Sequence, residues 1–502
     1  MWSGISVPFG AYRKPINHMN DCVVGQAMTR IGRMVLKSSA TDDTKPEDGI
    51  ILGKSLAMDH RKVIVARDAA HSSAMMACAV TAGLLFQGAD VVDMGILSAP
   101  AAAMCASYGD CAVYIAGRQN MISGYYLMNR DGSLFTDQQV RHLDIYFQSP
   151  PVPPDHTGLG RYTVRNGVTE EYNQRIVDLL RGDIRCPIIA DCVCGTASES
   201  LPQILNRLGA DVMTVDAQRD PGFTGPSDGK DSIGRLEEMV ANSPGSIGIR
   251  VNGIGTLAEI VDEKGSLLPM EKVFALIVLY MRPKSIAVTV SSPSLIEEVF
   301  LHGCDTDVET PFPERPEKDR SIVLTDDSAA AVCEAVVDGA DLGYYHGSIV
   351  FGGGAAFGDG VRAAAVIGQM AGDNSLHAVS ECLPTYLREE KARSCDMDAE
   401  TFRRAFEKAS ADLKDRITKH GNVFRATFDS GWFIVKHRAR LEGGFEIDTA
   451  AESDDRAYLA CLTEMADSLV DAVVGGRRRG GPPALRRSRR PSSWSCCRAG
   501  ML

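Results

Sequence analysis

The 502-residue sequence has no long hydrophobic run. Its longest uninterrupted apolar stretch runs from Val273 to Met281, about half of the roughly 18 to 20 residues that a helix needs to cross a bilayer. The first residues also lack the basic-then-apolar pattern of a signal peptide. A cytoplasmic protein with no membrane partner is therefore expected. The fourteen cysteines show no ligand spacing: Cys192 and Cys194 are separated by one residue, with no second Cys/His pair at zinc distance, so no zinc and no disulfide framework is assigned. Positive charge is scarce outside one place. Residues 476–502 hold eight Arg and no acid, and the rest of the chain has 45 basic against 65 acidic residues, a balance of −20. An acidic body disfavours specific nucleic-acid binding, and the Arg/Gly/Pro/Ser tail, poor in periodic apolar residues, is expected to be a basic disordered extension.

What is present is an α/β pattern. Apolar residues at Val24, Ala27, Met28, Ile31, Met34 and Val35 predict an amphipathic helix over 23–36. KVIVARD at 62–68 reads as a strand, Ser72 to Gln87 as a helix capped by serine, and DVVDMG at 90–95 as the next strand. The unit recurs as PIIAD (187–191), a helix over 198–208 and DVMTVD (211–216). It recurs again as SIAVTVSS (285–292), a helix to His302 and a strand near Asp307. The helix exits agree: Gly88-Ala89-Asp90, Gly209-Ala210-Asp211 and Gly303-Cys304-Asp305, each with a glycine suited to the left-handed residue after a helix. Beyond 377 come a polar helical stretch, FRATFDSGWFIVKHR (424–438), FEIDTAAE (445–452) and a helix over 454–470. The expected fold class is α/β: three similar α/β/α domains with mixed sheets in series (1–155, 156–282, 283–373), a smaller α+β C-terminal domain (374–475) and the tail (476–502).

That layout resembles the α-D-phosphohexomutase superfamily, the phosphomannomutases and phosphoglucomutases. Phe9-Gly10-Ala11-Tyr12-Arg13 is similar to the family's opening, and residues 63–101 to its strand, Arg-Asp, Ser-Ser helix and "DVVDLG...PTPA" passage. NRDGSLFT (129–136), VDEKGSLLP (261–269), GDGVRAAAVIG (358–368) and DSGWFIV (429–435) carry the similarity to about residue 470. The resemblance implies a phosphoserine that exchanges its phosphoryl group with a hexose phosphate beside a magnesium ion held by three aspartates, since phosphoryl transfer requires an in-line nucleophile and a hard cation.

Against that pattern all four active-site loops depart. Where the family carries Thr-Ala-Ser-His-Asn-Pro this chain has Ile115-Ala116-Gly117-Arg118-Gln119-Asn120, so the nucleophile's place falls on Gly117 or Ala116, neither of which has an oxygen to phosphorylate. Ser123 is a displaced substitute. The Asp-Gly-Asp-x-Asp-Arg loop is replaced by Asn252-Gly253-Ile254-Gly255-Thr256-Leu257, which leaves Asn252, Ile254 and Thr256 at the aspartate positions and implies no metal. The sugar loop reads Gly343-Tyr344-Tyr345-His346-Gly347-Ser348, where Tyr344, Tyr345 and His346 are ring-binding candidates against a reading as strand-end packing. The phosphate loop is replaced by Lys436-His437-Arg438-Ala439-Arg440, whose cations are anion-binding candidates against a reading as a solvated strand end; Arg118 is another.

The leading expectation is a catalytically degenerate homologue that binds a hexose phosphate or a protein partner, with no cofactor. One alternative is an atypical hexose-phosphate mutase using Ser123 or His346 as phosphoryl carrier, which would need magnesium. The other is a structural partner of an active mutase.

Overall fold

The computed structural model describes residues 46–117, 124–148, 158–180, 182–219, 230–305, 307–313, 319–439 and 444–475. The helix expected over 23–36, the opening motif at Phe9 and the basic tail lie outside the described residues. The chain divides into two compact units, one ending at Pro384 and the other beginning at Thr385. No described helix is long and apolar enough to cross a membrane.

The first sheet of the first unit comprises β1 (Lys62–Arg67), β2 (Asp90–Ile96), β3 (Cys111–Ile115), β4 (Tyr125–Asn129) and β5 (Tyr162–Val164), in the order β4-β3-β1-β2-β5. Val63, Ile64, Val65 and Ala66 of β1 are all buried, as expected of a parallel strand covered on both faces. Alternation divides them. Val63 and Val65 join an outer cluster with Leu52, Leu56, Val80 and Leu84, whereas Ile64 and Ala66 face a core that extends to Val379. The outer helices, Pro46–Asp59 and His71–Phe86, meet at glycine: a Cβ on Gly53 would lie 2.2 Å from the Val80 carbonyl oxygen. The second of these helices is not capped by serine. Ala70 occupies the N-cap position, and Ser72 and Ser73 fall inside the first turn.

Two further sheets follow. β6 (Ile188–Asp191), β7 (Val212–Val215), β8 (Ile247–Val251) and β9 (Ala258–Val261) are ordered β7-β6-β8-β9; β10 (Ser285–Thr289), β11 (Ser321–Thr325), β12 (Leu342–Tyr345) and β13 (Ser348–Phe351) are ordered β11-β10-β12-β13. Each has three parallel strands and one antiparallel edge. The first two predicted helix exits hold, with Gly88 and Gly209 both at φ 90°; Gly303 has a positive φ of 79° but a ψ of −148°, outside the left-handed helical region. At the first two, the amides of Ala89 and Ala210 reach back to Leu84 and Leu205, the six-to-one bond that closes a helix.

Three expectations are corrected. No strand forms among the described residues near Asp307; the second strand of the third unit is β11, and the exit matching the other two is Gly339-Ala340-Asp341, with Gly339 at φ 119°. The first sheet runs past residue 155, because β5 pairs with β2. The first unit also runs past residue 373: Lys272 donates to the Ser380 carbonyl, and His377 Nδ1 lies 2.9 Å from Asp262 in the β9 hairpin.

The second unit is an antiparallel sheet of β14 (Leu387–Cys395), β15 (Ile417–His420), β16 (Val423–Phe428), β17 (Gly431–Ala439) and β18 (Phe445–Ser453), ordered β14-β18-β17-β16-β15. Helices Ala399–Ala409 and Arg456–Gly475 bury Phe402, Phe406, Leu462 and Val470 against Phe424, Phe433 and Ile447.

Candidate functional site

The carboxyl ends of β1 and β3 meet at Asp68 and Gly117. Asp68, 5 % exposed, accepts hydrogen bonds from the Ala70 amide (3.0 Å) and the Gly117 amide (2.5 Å). Burial pushes its carboxyl above the usual carboxylate range, and these backbone donors pull it back. The bonds hold residue 117 against the start of helix His71–Phe86. A Cβ there would stand 2.2 Å from the Ala70 Cβ and 2.7 Å from Ser73 Oγ, separations that no side chain can keep. Ala116 is 2 % exposed and belongs to the shared core. Neither residue that falls at the nucleophile position presents a group to a ligand. Arg118 and Ser123 lie outside the described residues.

The loop between β8 and β9 closes on itself. Asn252 Oδ1 accepts from the amides of Thr256 (2.8 Å) and Leu257 (3.3 Å), and its Nδ2 donates to Thr256 Oγ1 (2.9 Å). The loop is also fastened from outside: Ile254 O accepts from the Ala99 amide, and Gly255 O from the Gly360 amide, at 2.8 and 3.0 Å. Leu257, where the family places arginine, is 4 % exposed. The family resemblance implies magnesium here, and the residues present do not fit it. A hard cation needs several free oxygen donors, whereas the Asn252 oxygen already accepts two amides, Thr256 Oγ1 accepts from Asn252, and Ile254 offers only a bonded carbonyl. Among the described residues no cluster of three or more His, Cys, Asp or Glu side chains has metal-binding geometry.

At the third loop, β12 and β13 form a hairpin through His346 (φ 44°) and Gly347 (φ 90°), the pair of positive φ values that a two-residue turn requires. Tyr344 and Tyr345 are 4 % and 2 % exposed, and Tyr344 stacks obliquely on Phe274 at 5.0 Å. Both are withdrawn as ring-binding candidates, because their faces are already covered. His346 remains half-exposed, with Nε2 3.7 Å from Asp327 Oδ1. Ser291 Oγ donates to that same oxygen at 2.5 Å, and Thr289 Oγ1 lies 3.1 Å from both Ser291 Oγ and Ser292 Oγ. These groups stand beyond the carboxyl ends of β10, β11 and β12, with β11 and β12 on opposite sides of β10, the place where open α/β sheets bind ligands. Thr289, Ser291, Ser292 and Asp327 escape sequence reasoning because they come from two loops 36 positions apart. The available signal was the serine pair at the end of SIAVTVSS, where strand β10 stops at Thr289.

The fourth loop belongs to the second unit. His437 is 2 % exposed, donates from Nε2 to the Met397 carbonyl (2.8 Å), and lies between the rings of Phe402 and Phe445, with centroids at 4.9 and 5.0 Å. Burial holds its imidazole below its ordinary value. Arg438 is paired with Glu446 (2.8 Å) and Asp448 (2.6 Å). Both are withdrawn as anion ligands, one as core and the other as already neutralised. Lys436 stands opposite Asp448 in the β17–β18 ladder, and Arg440 lies outside the described residues.

The architecture is that of a multi-sheet α/β protein with polar loops at its strand ends. Residues 33–148 match the family model "Phosphoglucomutase/phosphomannomutase, alpha/beta/alpha domain I". Over 456 residues the chain is 23 % identical to a protein of Methanosarcina barkeri named "Probable phosphoglucosamine mutase", covering 89 % of this chain and all of that one. It is 27 % identical over 262 residues to a phosphoglucosamine mutase of Thermoanaerobacter sp., covering 50 % and 59 % of the two chains. Its fold is similar to that of a phosphoglucomutase/phosphomannomutase family protein from Burkholderia thailandensis, with a TM-score of 0.70 at 16 % identity over 91 % of this chain and 98 % of that one. Residues 33–148 thus carry the family's domain I, and the chain as a whole is similar in sequence and fold to the phosphohexomutases.

Proposed function

We propose that this chain is a non-catalytic phosphohexomutase homologue that binds a hexose phosphate without transferring its phosphoryl group. The observation that carries the reading is the occupied space at Gly117. Phosphoryl transfer between enzyme and sugar requires an oxygen held in line with phosphorus, and at this position Ala70 and Ser73 fill the volume that a serine side chain would take. The self-bonded Asn252 loop supports the same reading, since it offers no free oxygens to offset charge on a phosphoryl group. Binding is supported by the half-exposed imidazole of His346 at the carboxyl ends of the third sheet, with Asp327 and the buried Ser291 hydroxyl behind it. An exposed ring with a donor and an acceptor suits a sugar hydroxyl.

The relatives' names make glucosamine phosphate the first probe, followed by glucose and mannose phosphates. With magnesium and a hexose bisphosphate primer, the purified chain is expected to give no interconversion above a protein-free control. Millimolar hexose phosphate is expected to raise its melting temperature through preferential binding to the folded state. Turnover, or a phosphorylated side chain recovered from the protein, would overturn the proposal.

A further inference from the structure

A second polar feature of the first unit lies away from the sugar loops. Helix Val168–Leu179, helix Ala99–Cys105 and the segment from Phe351 to Arg362 enclose a shallow cavity, open to solvent, walled by apolar side chains including Met104, Ile176 and Phe357. It lies near the Phe351 end of β13, whereas the hairpin bearing His346 is at the other end of that strand.

Arg362 reaches into it. Its side chain sits on the Phe351 ring, 4.4 Å from the centroid, and the residue is 9 % exposed. Nε is buried with no acceptor, and among the described residues no carboxylate lies within ion-pair distance of the guanidinium. The neighbouring acid is otherwise engaged: Asp359 Oδ1 caps helix Gly360–Asp373 through the Arg362 amide (2.8 Å) and accepts from Tyr172 Oη (2.7 Å). A second cation, Arg175, lines the same cavity without a carboxylate partner among the described residues. Burial draws the Arg362 guanidinium below its ordinary value, Asp359 opposes that, and Arg175 adds to it. A buried guanidinium with an unmet Nε donor is costly unless an acceptor arrives from outside, and the acceptor that its planar fork suits is an oxyanion. The cavity has room for about two or three water molecules, the bulk of a tetrahedral oxyanion and not of a hexose.

We infer that this cavity is a second anion site, taking inorganic phosphate or the phosphoryl group of a larger molecule on Arg362, with Arg175 as the cation at its mouth. The site does not depend on the hexose-phosphate reading.

The test is calorimetric titration and thermal melting of the full chain with inorganic phosphate at constant ionic strength, using chloride as the control. The wild-type chain is expected to bind phosphate and to melt at higher temperature with it. Arg362→Met is expected to abolish both effects. Arg175→Gln, an exposed change that leaves the core intact, is expected to weaken binding about tenfold and so serves if Arg362→Met does not fold. Repeating the titration with glucosamine 6-phosphate separates the sources: loss of phosphate binding alone in Arg362→Met assigns the free ion, and loss of both ligands assigns a sugar-borne phosphoryl group. No phosphate effect on the wild type, or equal binding by wild type and both variants, would overturn the inference.

Discussion

The loop at Asn252 and the strand ends of the third sheet are both turns of the same unit, yet they treat polar atoms in opposite ways. Around Asn252 the side-chain amide bonds to its own loop, the carbonyls of residues 254 and 255 are taken by Ala99 and Gly360, and Leu257 is core. At the third sheet, Asp327 collects Ser291 and His346 into a polar floor with a half-exposed ring above it. Where a loop carries no charged side chain, buried donors and acceptors must find internal partners or destabilise the fold. The Asn252 loop has found them. Its present sequence is therefore a stable solution in its own right, and restoring single family residues should damage it before it rebuilds any chemistry.

The largest expected effect comes from putting the missing oxygen back. Gly117→Ser forces a Cβ into Ala70 and Ser73, and is expected to lower stability by about 1–3 kcal/mol, the usual range for overpacking, with no mutase activity gained. Chemical denaturation beside a coupled mutase assay checks both halves; an unstrained, phosphorylated variant would break the comparison. Next in size is Asn252→Ala. It strips the acceptor from two backbone amides and the donor from Thr256 Oγ1, and is expected to cost about 2 kcal/mol over the three bonds, at roughly 0.5–1 kcal/mol each. An unchanged unfolding midpoint would show that the loop is not held this way.

At the strand ends the signature should reverse, with binding changed and stability spared. His346→Ala, at a half-exposed turn, is expected to weaken hexose-phosphate binding about tenfold, or about 1.4 kcal/mol, while its unfolding midpoint stays within about 0.5 kcal/mol of wild type. Titration calorimetry and denaturation on the same samples separate the two quantities. Equal losses in both would make His346 a structural turn residue.

How far the sequence alone reached follows from the kind of signal each element carries. β1, β6 and β10 were legible because parallel strands buried on both faces read as continuous β-branched runs, and the helix exits because a left-handed residue selects glycine. β14 was not. Its LREEKARSC has no apolar alternation and is held instead by nine ladder pairs with β18 and by ion pairs from Lys391 and Arg393 to Asp467, none of which is local in sequence. The third repeat was misplaced for a related reason: Gly303-Cys304-Asp305 resembles the other exits, while the strand that follows it starts only at Ser321. Among site residues, Gly117 and Asn252 could be singled out by identity, since the resemblance sets them where its family carries serine and aspartate. Tyr344 and Tyr345 follow the strand-end packing reading, whereas the burial of His437, the pairing of Arg438 and the gathering of Ser291 with Asp327 depend on distant segments and were not legible.

His437 extends the comparison to the second unit with the smallest effect. As a ligand it would titrate near its ordinary value and respond to phosphate; as core it is neutral, with Nε2–H bonded to the Met397 carbonyl. Burial lowers its folded-state pKa, whereas the unfolded chain takes up the proton near pH 6.5. The contribution of neutral His437 is therefore complete above pH 6.5. It is lost as pH falls from there toward the folded value, with a slope of at most about 1.4 kcal/mol per pH unit, because the unfolded state then holds the extra proton. Amide exchange in β16–β18 at pH 7.5 and 5.5 should show wild type losing protection on acidification by more than His437→Gln, whose amide can still donate to Met397 and does not titrate. An imidazole that titrates at 6.5 and shifts with added phosphate would place His437 in an open site and set the second unit apart from the self-bonded Asn252 loop.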